Sequence, residues 1–211
     1  MPVLLPDQPL TSLDEYIDGF EGGQGLVRAH ELGPAGIVET IERSGLRGRG
    51  GAGFPTGRKW ASILAGGPEV GDRYAVGNGA EGEPGTFKDR MLMRRNPYQV
   101  VEGLAISAAT VDAVGVYLAV KASFEPEIEA LSRALREMSE AGLVGDVPIT
   151  LVTGPEEYLF GEEQRAGGLD RARRRPAGRQ RVHGRRNAAQ HAGDRACPQA
   201  GSKHSRVHGR Q

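Results

Sequence analysis

The sequence predicts an α/β protein in which helices cover a parallel sheet, and three observations indicate this class. Residues 73–76, 115–120 and 147–152 are predicted to be strands, and the short apolar run at 115–120 is typical of a buried one. Segments with apolar residues at helical spacing separate these strands. The links between them are short, and strands that alternate with helices in this way favour a parallel sheet.

The N-terminal part of the chain, residues 1–45, is predicted to be a helical segment that covers the sheet domain. Ser12 and Glu15 fit a capping box, in which each side chain bonds a backbone N–H near the other, and they predict a short helix. Pro34 suits the first turn of a second helix, which Gly45 ends. The apolar residues on one face of this second helix are Ile37, Val38 and Ile41.

Two further helices join the predicted strands. Asn96 and Pro97 form an N-cap and first-turn pair for one of them, and Pro126 opens the other. Their buried stripes are predicted to be Val100, Val101, Leu104, Ala105 and Ala108, and Ile128, Leu131, Leu135 and Met138. Residues 46–163 are therefore predicted to form a Rossmann-like α/β domain with an incomplete sheet. Its ligand should lie beyond the carboxyl ends of the strands.

Residues 164–211 differ in composition and are predicted to be a disordered, basic, low-complexity tail. From residue 165 onward thirteen basic side chains accompany two acidic ones, whereas the preceding 164 residues carry 14 basic and 25 acidic side chains. The tail contains no Ile, Phe, Tyr, Trp or Met, so it cannot offset the entropy of ordering. We favour out-of-frame translation of a GC-rich coding sequence. The alternative is an arm that binds nucleic acid electrostatically without sequence preference.

Several classes of protein are excluded by composition. Cys197 is the single cysteine, so neither a disulfide framework nor a cysteine-bound iron–sulfur cluster is expected in this chain. No apolar stretch approaches the length of a membrane span, and no secretion signal is evident. A cytoplasmic protein without direct membrane insertion is the expectation.

Two glycine-rich loops are the candidate binding elements. Residues 47–60 hold five glycines and four fixed cations around Phe54, a composition that lets backbone N–H groups approach an anion. Although the glycines fit the G-x-G-x-x-G count, a predicted helix precedes them instead of a strand, which excludes the dinucleotide fingerprint. A flexible surface turn is the alternative. The second loop, residues 77–85, is acidic and follows the first strand.

Three motifs together resemble one family. They are SGLRGRGGAGFPTGRKW at residues 44–60, EGEPGTFKDR at 81–90 and YLFGEE at 158–163. Over about residues 12–163 the chain resembles the flavin subunit of respiratory complex I, the family of the NADH-quinone oxidoreductase F subunit. That family includes the diaphorase subunits of NAD-linked hydrogenases and formate dehydrogenases.

The resemblance implies an oxidoreductase in which FMN accepts a hydride from NADH and electrons leave through iron–sulfur clusters. The implied partners are the iron–sulfur subunits of an NADH dehydrogenase complex, on the inner face of the membrane. The implied cofactor-binding residues are Gly48, Gly50, Gly51, Phe54 and Lys59 in the first loop, Asn78, Glu81 and Glu83 in the second, and Tyr158, Gly161, Glu162 and Glu163 in the third motif. Phe54 would stack on adenine, while the acidic loop would hold ribityl and ribose hydroxyls.

Less specific interpretations of the same residues are a core position for Phe54, a solvated acidic surface for the glutamates, and an exposed, ion-paired helix start at residues 88–90. The sequence also departs from the family pattern. Ala80 stands where a polar residue is usual, and Ser62 where a second adenine-stacking aromatic residue is expected. The family's cluster domain cannot be recognised after Glu163. We therefore expect weak flavin binding and no onward electron transfer, and a non-catalytic dinucleotide- or partner-binding module is the alternative.

Overall fold

The computed structural model describes residues 4–49, 52–66, 71–146 and 148–156, and within them three parallel strands form one sheet. In spatial order the strands are β1 (Tyr74–Asn78), β2 (Gly115–Lys121) and β3 (Ile149–Gly154). Tyr74 pairs with Gly115, and Val116 pairs with Ile149. The predicted α/β class is therefore confirmed, and each strand runs one or two residues beyond its predicted carboxyl end.

Helices precede and separate the strands in the order that the sequence predicts, and the structure adds helical segments that were not predicted. They are α1 (Leu13–Phe20), α2 (Gln24–Ser44), α3 (Thr56–Ala65), α4 (Lys88–Arg95), α5 (Pro97–Val111) and α6 (Glu125–Glu140). Ser12 accepts a hydrogen bond from Glu15 N at 3.2 Å, as the capping box requires. The return bond differs from the prediction, because the Glu15 carboxylate accepts from Thr11 N at 2.7 Å.

Helix α2 begins ten residues before the predicted helix, and its two halves meet at Gly33. This glycine has φ 64° and ψ 174°, which breaks the helix directly before Pro34. The second half is the predicted helix. The first half, residues 24–32, contains a glycine and as many polar as apolar side chains. Its N-terminus is capped from a distant element: Gly23 N donates to Glu102 Oε2 at 2.8 Å, and Leu26 N donates to Glu102 Oε1 at 3.2 Å. No local sequence pattern could reveal this cap.

The larger core lies between the sheet and the helices on one of its faces. Alternate strand residues, among them Ala75, Val116 and Leu118, are buried against helical side chains of α5 and α6 such as Leu104 and Leu131. Trp60 and Ile63 of α3 pack partly buried against this cluster. On the opposite face Tyr74 and Val76 stay exposed.

Two tyrosines and two carboxylates hold the N-terminal helices to the rest of the domain. The rings of Tyr16 and Tyr98 stack with centroids 5.6 Å apart. The Tyr16 hydroxyl donates to Glu102 Oε2 at 2.6 Å, and the Tyr98 hydroxyl donates to Glu137 Oε2 at 2.7 Å. Glu137 Oε2 also accepts from Leu13 N at 2.9 Å, in the first turn of α1. Buried and partly buried charge-assisted hydrogen bonds therefore hold the N-terminal helices to the domain.

We expect the folded protein to lose stability at alkaline pH through these phenols. Burial, and then the hydrogen bond to Glu137, raise the pKa of Tyr98 to about 12, and burial and Glu102 likewise raise the pKa of Tyr16. An unfolded chain ionises its tyrosines near pH ~10. Stability from Tyr98 is therefore complete below that pH and is lost as pH rises toward the folded-state pKa.

The measurement is an alkaline titration followed by both phenolate absorbance and circular dichroism. Tyr16 and Tyr98 should ionise only as the protein unfolds. In Tyr98→Phe the free energy of unfolding should fall less steeply as pH rises above about 10. Ordinary titration of all tyrosines in a chain that remains folded would contradict this prediction.

Candidate functional site

The glycine-rich loop between α2 and α3 is closed at its base by short antiparallel pairing. Thr56 N donates to Leu46 O at 3.0 Å and Gly48 N donates to Phe54 O at 2.9 Å. The Arg47 side chain donates to Gly53 O at 3.2 Å, and Gly53 has φ 58°, in the left-handed region that glycine adopts without strain. Its described parts are thus a fixed hairpin rather than a flexible turn. Gly50 and Gly51 lie outside the described residues.

The end of the predicted loop is a helix in the structure. Lys59 and Trp60 belong to α3, which starts at Thr56. Gly57 is buried where α3 crosses α2, and a Cβ there would lie 2.8 Å from Glu42 N and 3.0 Å from Glu42 Cα. This glycine therefore permits close packing of the two helices. The exposed Lys59 lies in the first turn of α3, directly after the loop.

A groove of about 430 Å³ lies at the root of this loop. The residues that line it are Glu42, Gly45, Leu46, Arg47, Pro55, Gly57 and Arg58. Two of these are guanidinium groups, which suit an anionic ligand. Among the residues that the structure describes, the lining includes none from the acidic loop at the carboxyl edge of the sheet.

Two aromatic side chains near the candidate loops are exposed. Phe54, in the glycine-rich loop, is 56% exposed, so its alternative assignment to the core is wrong. Phe87, directly before α4, is 63% exposed. Large exposed aromatic groups are typical of binding surfaces. Phe87 was not predicted as a site residue. The signal that could have indicated it is an aromatic side chain within the polar second motif.

The acidic loop is fixed where β1 ends. Asn78 Oδ1 accepts from Ala80 N at 3.1 Å, which forms a local turn. Gly79 N donates to Ala119 O at 2.8 Å, and a Cβ on Gly79 would lie 2.8 Å from Met93 Sδ. The loop is therefore held between β2 and α4 at the carboxyl edge of the sheet, where ligands of parallel sheets bind.

The Glu81 carboxylate binds the N-terminus of helix α4. Its side chain is 2% exposed and accepts from Asp89 N at 3.2 Å and Arg90 N at 3.4 Å, while Lys88 Nζ lies 3.6 Å away. The N-cap residue Phe87 supplies no side-chain cap, so Glu81 takes that role and places its charge at the positive end of the helix. A solvated surface is therefore the wrong assignment for Glu81. Its contact with a flavin stays a prediction.

Helix α4 is held from its other side by Glu127, in the first turn of α6. Arg90 Nε and Arg94 Nε donate to Glu127 Oε1 at 2.8 and 2.7 Å, and the Arg90 guanidinium lies 4.5 Å from the centroid of the Phe124 ring. Burial by itself raises the pKa of Glu127, but the hydrogen bonds that it accepts, those from both arginines among them, outweigh this effect, so the pKa lies below its ordinary value. Residues 88–90 are therefore more than an exposed helix start.

Glu127 was not among the residues predicted from the sequence, although a signal was present. Glu127 shares a helical face with Leu131, Ala134 and Met138, all of which are fully buried. A glutamate on an apolar stripe indicates a buried cationic partner, because an unpaired buried carboxylate is costly. The spacing of Arg90 and Arg94, one helical turn apart, supplies two such partners.

The structure places the predicted site residues in two groups. Phe54 and Lys59 lie on the first loop and the helix after it, and Asn78, Glu81 and Glu83 lie on the second loop. The third motif, with Tyr158, Gly161, Glu162 and Glu163, lies outside the described residues, as does the tail with its predicted disorder. In the described part of the chain no helix has the length and apolarity to cross a membrane. The same residues include no cluster of three or more potential metal ligands.

A polar loop at the carboxyl edge of a parallel sheet, preceded by a basic, glycine-rich hairpin with an exposed aromatic ring, defines an α/β domain of the nucleotide-cofactor-binding class. The comparison with family models identifies the family. Residues 41–169 match the Nuo51 FMN-binding domain, and the chain belongs to this family. The resemblance found in the sequence is thereby confirmed.

Curated relatives agree with the family match. The NADH-quinone oxidoreductase F subunit of Escherichia coli (strain K12) is 38% identical over 170 residues, covering 76% of this chain and 38% of the relative. Its counterpart in Aquifex aeolicus (strain VF5) is 37% identical over 161 residues, covering 72% and 37%. The NADP-reducing hydrogenase subunit HndC of Solidesulfovibrio fructosivorans is 38% identical over 160 residues, covering 72% and 32%. The chain thus spans about two fifths of these relatives or less.

A solved structure shows the same relationship. The crystal structure of an NAD+-reducing nickel–iron hydrogenase in its H2-reduced state aligns with a TM-score of 0.57 and 31% identity, over 74% of this chain and 27% of that one. The prediction of FMN and NADH as cofactors is confirmed at the level of the family. The matched domain is named for FMN binding, and the two NADH-quinone oxidoreductase relatives are named for NADH.

Proposed function

We propose that this chain is the nucleotide-binding part of an NADH dehydrogenase flavin subunit, in which NADH delivers a hydride to FMN. The observation that carries the proposal is the family match over residues 41–169, because that range includes both candidate loops. The geometry supports it. One loop is basic with an exposed aromatic ring, and the other is polar and fixed at the carboxyl edge of the sheet.

The residues present fit a flavin nucleotide and a dinucleotide. Phosphate groups need cations and backbone N–H groups, which Lys59 and the glycine-rich hairpin would provide. Hydroxyl groups need acceptors, which Asn78 and Glu83 would provide. Gly79 has no room for a side chain, so its backbone stays close to the strand end. When bound, FMN supplies the hydride acceptor, and the protein orients its ligands and excludes water.

Phe54 would stack on the adenine of NADH through its exposed ring, and Glu83 would bind ribose hydroxyls. Glu81 would act on the site through helix α4 as well as by any direct contact, since its carboxylate already caps that helix. Ala80 is buried and has no polar side chain to contribute. We therefore propose that flavin affinity is weaker than in a relative with a polar residue at this position.

The domain organisation that we propose has a helical cover over residues 1–45, an FMN- and NADH-binding α/β domain over 46–163, and a separate basic tail over 164–211. Electrons would leave the flavin through iron–sulfur clusters. The proposed partners are iron–sulfur subunits of a dehydrogenase complex, and the proposed location is cytoplasmic and peripheral to the membrane.

Removing single charges from the proposed site should weaken FMN binding. Lys59→Ala and Glu83→Gln should each raise the dissociation constant for FMN about ten-fold or more, because each removes a charge-assisted hydrogen bond. Quenching of flavin fluorescence on titration of the purified chain measures this, with reduction of a dye by NADH as the second readout. The matched controls are Arg28→Ala and Glu129→Gln, exposed charges on α2 and α6.

Unchanged FMN affinity in both variants would remove these residues from the site. If the chain binds NADH without binding flavin, the non-catalytic dinucleotide-binding module replaces the proposed enzyme. Binding of neither ligand would contradict the proposed function.

A further inference from the structure

We propose that Glu127 is a positioning residue for the flavin site, which holds the acidic loop in place through helix α4. The proposal rests on the proposed function and deepens it. Glu127 lies on α6 and belongs to none of the three motifs. Its carboxylate is fully buried and accepts hydrogen bonds from Arg90 and Arg94 of α4, and the loop residue Glu81 caps the N-terminus of the same helix.

The first step is the contact between α6 and α4. One oxygen of Glu127 accepts from two guanidinium groups that lie one helical turn apart, at 2.8 Å from Arg90 and 2.7 Å from Arg94. Arg90 is also held against the ring of Phe124. Two anchor points along one helix fix both its position and its rotation about its axis.

The second step is the contact between α4 and the loop. Glu81 accepts from the first backbone N–H groups of α4, and Met93 of α4 lies directly under Gly79. Helix α4 has eight residues, too few to be stable without tertiary contacts. The backbone position of residues 79–83 therefore depends on where Glu127 holds this helix.

A comparison of Glu127 with Glu137 on the same helix distinguishes a positioning role from a contribution to overall stability. Another carboxylate of helix α6, that of Glu137, also accepts two hydrogen bonds, at 2.7 Å from the Tyr98 hydroxyl and at 2.9 Å from Leu13 N. These partners belong to α5 and α1, away from the loop. The two glutamates thus have similar structural roles in one helix but act on different parts of the protein.

Glu127→Gln keeps the shape of the side chain and removes the charge that orders both arginines. We expect the dissociation constant for FMN to rise about ten-fold while the circular dichroism spectrum stays native. Glu137→Gln is the control and should lower the melting temperature but change FMN affinity less than about two-fold. Arg94→Gln removes one of the two donors from the partly exposed side and should give a smaller rise of the same sign.

The double variant Glu81→Gln/Glu127→Gln tests whether Glu127 acts on the loop through helix α4. Because both side chains act through α4, the combined effect on FMN affinity should be smaller than the product of the single effects. Independent, multiplicative effects on FMN affinity would contradict the action of Glu127 through α4. An unchanged FMN affinity in Glu127→Gln, with only a lower melting temperature, would overturn the proposal.

Hydrogen exchange keeps this test separate from that of the proposed function. In the chain without ligand, Glu127→Gln should speed amide exchange over residues 79–90 and leave residues 24–32 unchanged. If the chain binds no FMN, the proposed function fails while this readout still decides the role of Glu127. Unchanged exchange over residues 79–90 would then overturn it.

Discussion

Gly57→Ala should destabilise the protein by about 3 kcal/mol, although alanine is the better helix former. The added Cβ would lie 2.8 Å from Glu42 N and 3.0 Å from Glu42 Cα, and backbone atoms of a packed helix cannot move aside as a flexible side chain can. Helices α2 and α3 must therefore separate. Because α3 starts directly after the glycine-rich hairpin, we expect FMN affinity to fall as well.

Gly103→Ala is the matched control, since it is the same substitution within a helix. Nothing lies within 4 Å of a Cβ at position 103, so helix propensity should raise the stability of that variant by up to about 1 kcal/mol. In urea unfolding the two substitutions should thus change the free energy of unfolding in opposite directions. A stability of Gly57→Ala equal to or above that of the parent chain would show that α2 and α3 are not in close contact.

Glu102→Gln should cost about 3 kcal/mol of unfolding free energy, the second large effect. The carboxylate accepts from the Tyr16 hydroxyl at 2.6 Å, Gly23 N at 2.8 Å and Leu26 N at 3.2 Å. An amide of the same shape turns an NH2 group toward these donors, so at least one buried donor loses its acceptor. The first half of α2 also loses the negative charge at its N-terminus.

Glu129→Gln on the exposed side of α6 is the control and should change stability by less than about 0.5 kcal/mol. Urea unfolding measures the free energies, and amide exchange over residues 24–32 should become faster in Glu102→Gln alone. Equal stability of the two variants would mean that Glu102 does not cap α2.

Elements whose signals are local were predictable from the sequence. Strand β2 is a short apolar run, α5 starts at an Asn–Pro pair, and α6 carries a regular apolar stripe. Asn96 caps α5 as expected, with its side-chain oxygen 3.2 Å from Gln99 N. In each of these cases the residues that determine the element lie within it or next to it.

The missed elements depend on residues far away in the sequence. The first half of α2 takes its cap from Glu102, and α3 begins with Thr56 and Gly57, residues that usually indicate a loop but here allow contact with Glu42. For the site, composition located both loops, because glycines and charges gather there. The role of Glu81 depends on where α4 starts, and the role of Glu127 depends on how α4 and α6 cross, which no spacing within either segment specifies.

The caps on the N-terminal helices also set an order of assembly. The partners Gly23 and Glu102 lie 79 residues apart, and Leu13 and Glu137 lie 124 residues apart. Closing loops of this length costs conformational entropy before the contact can stabilise the fold. Helices α1 and α2 precede Glu102 and Glu137 in the sequence, so during synthesis they can gain these caps only after α5 and α6 have been made.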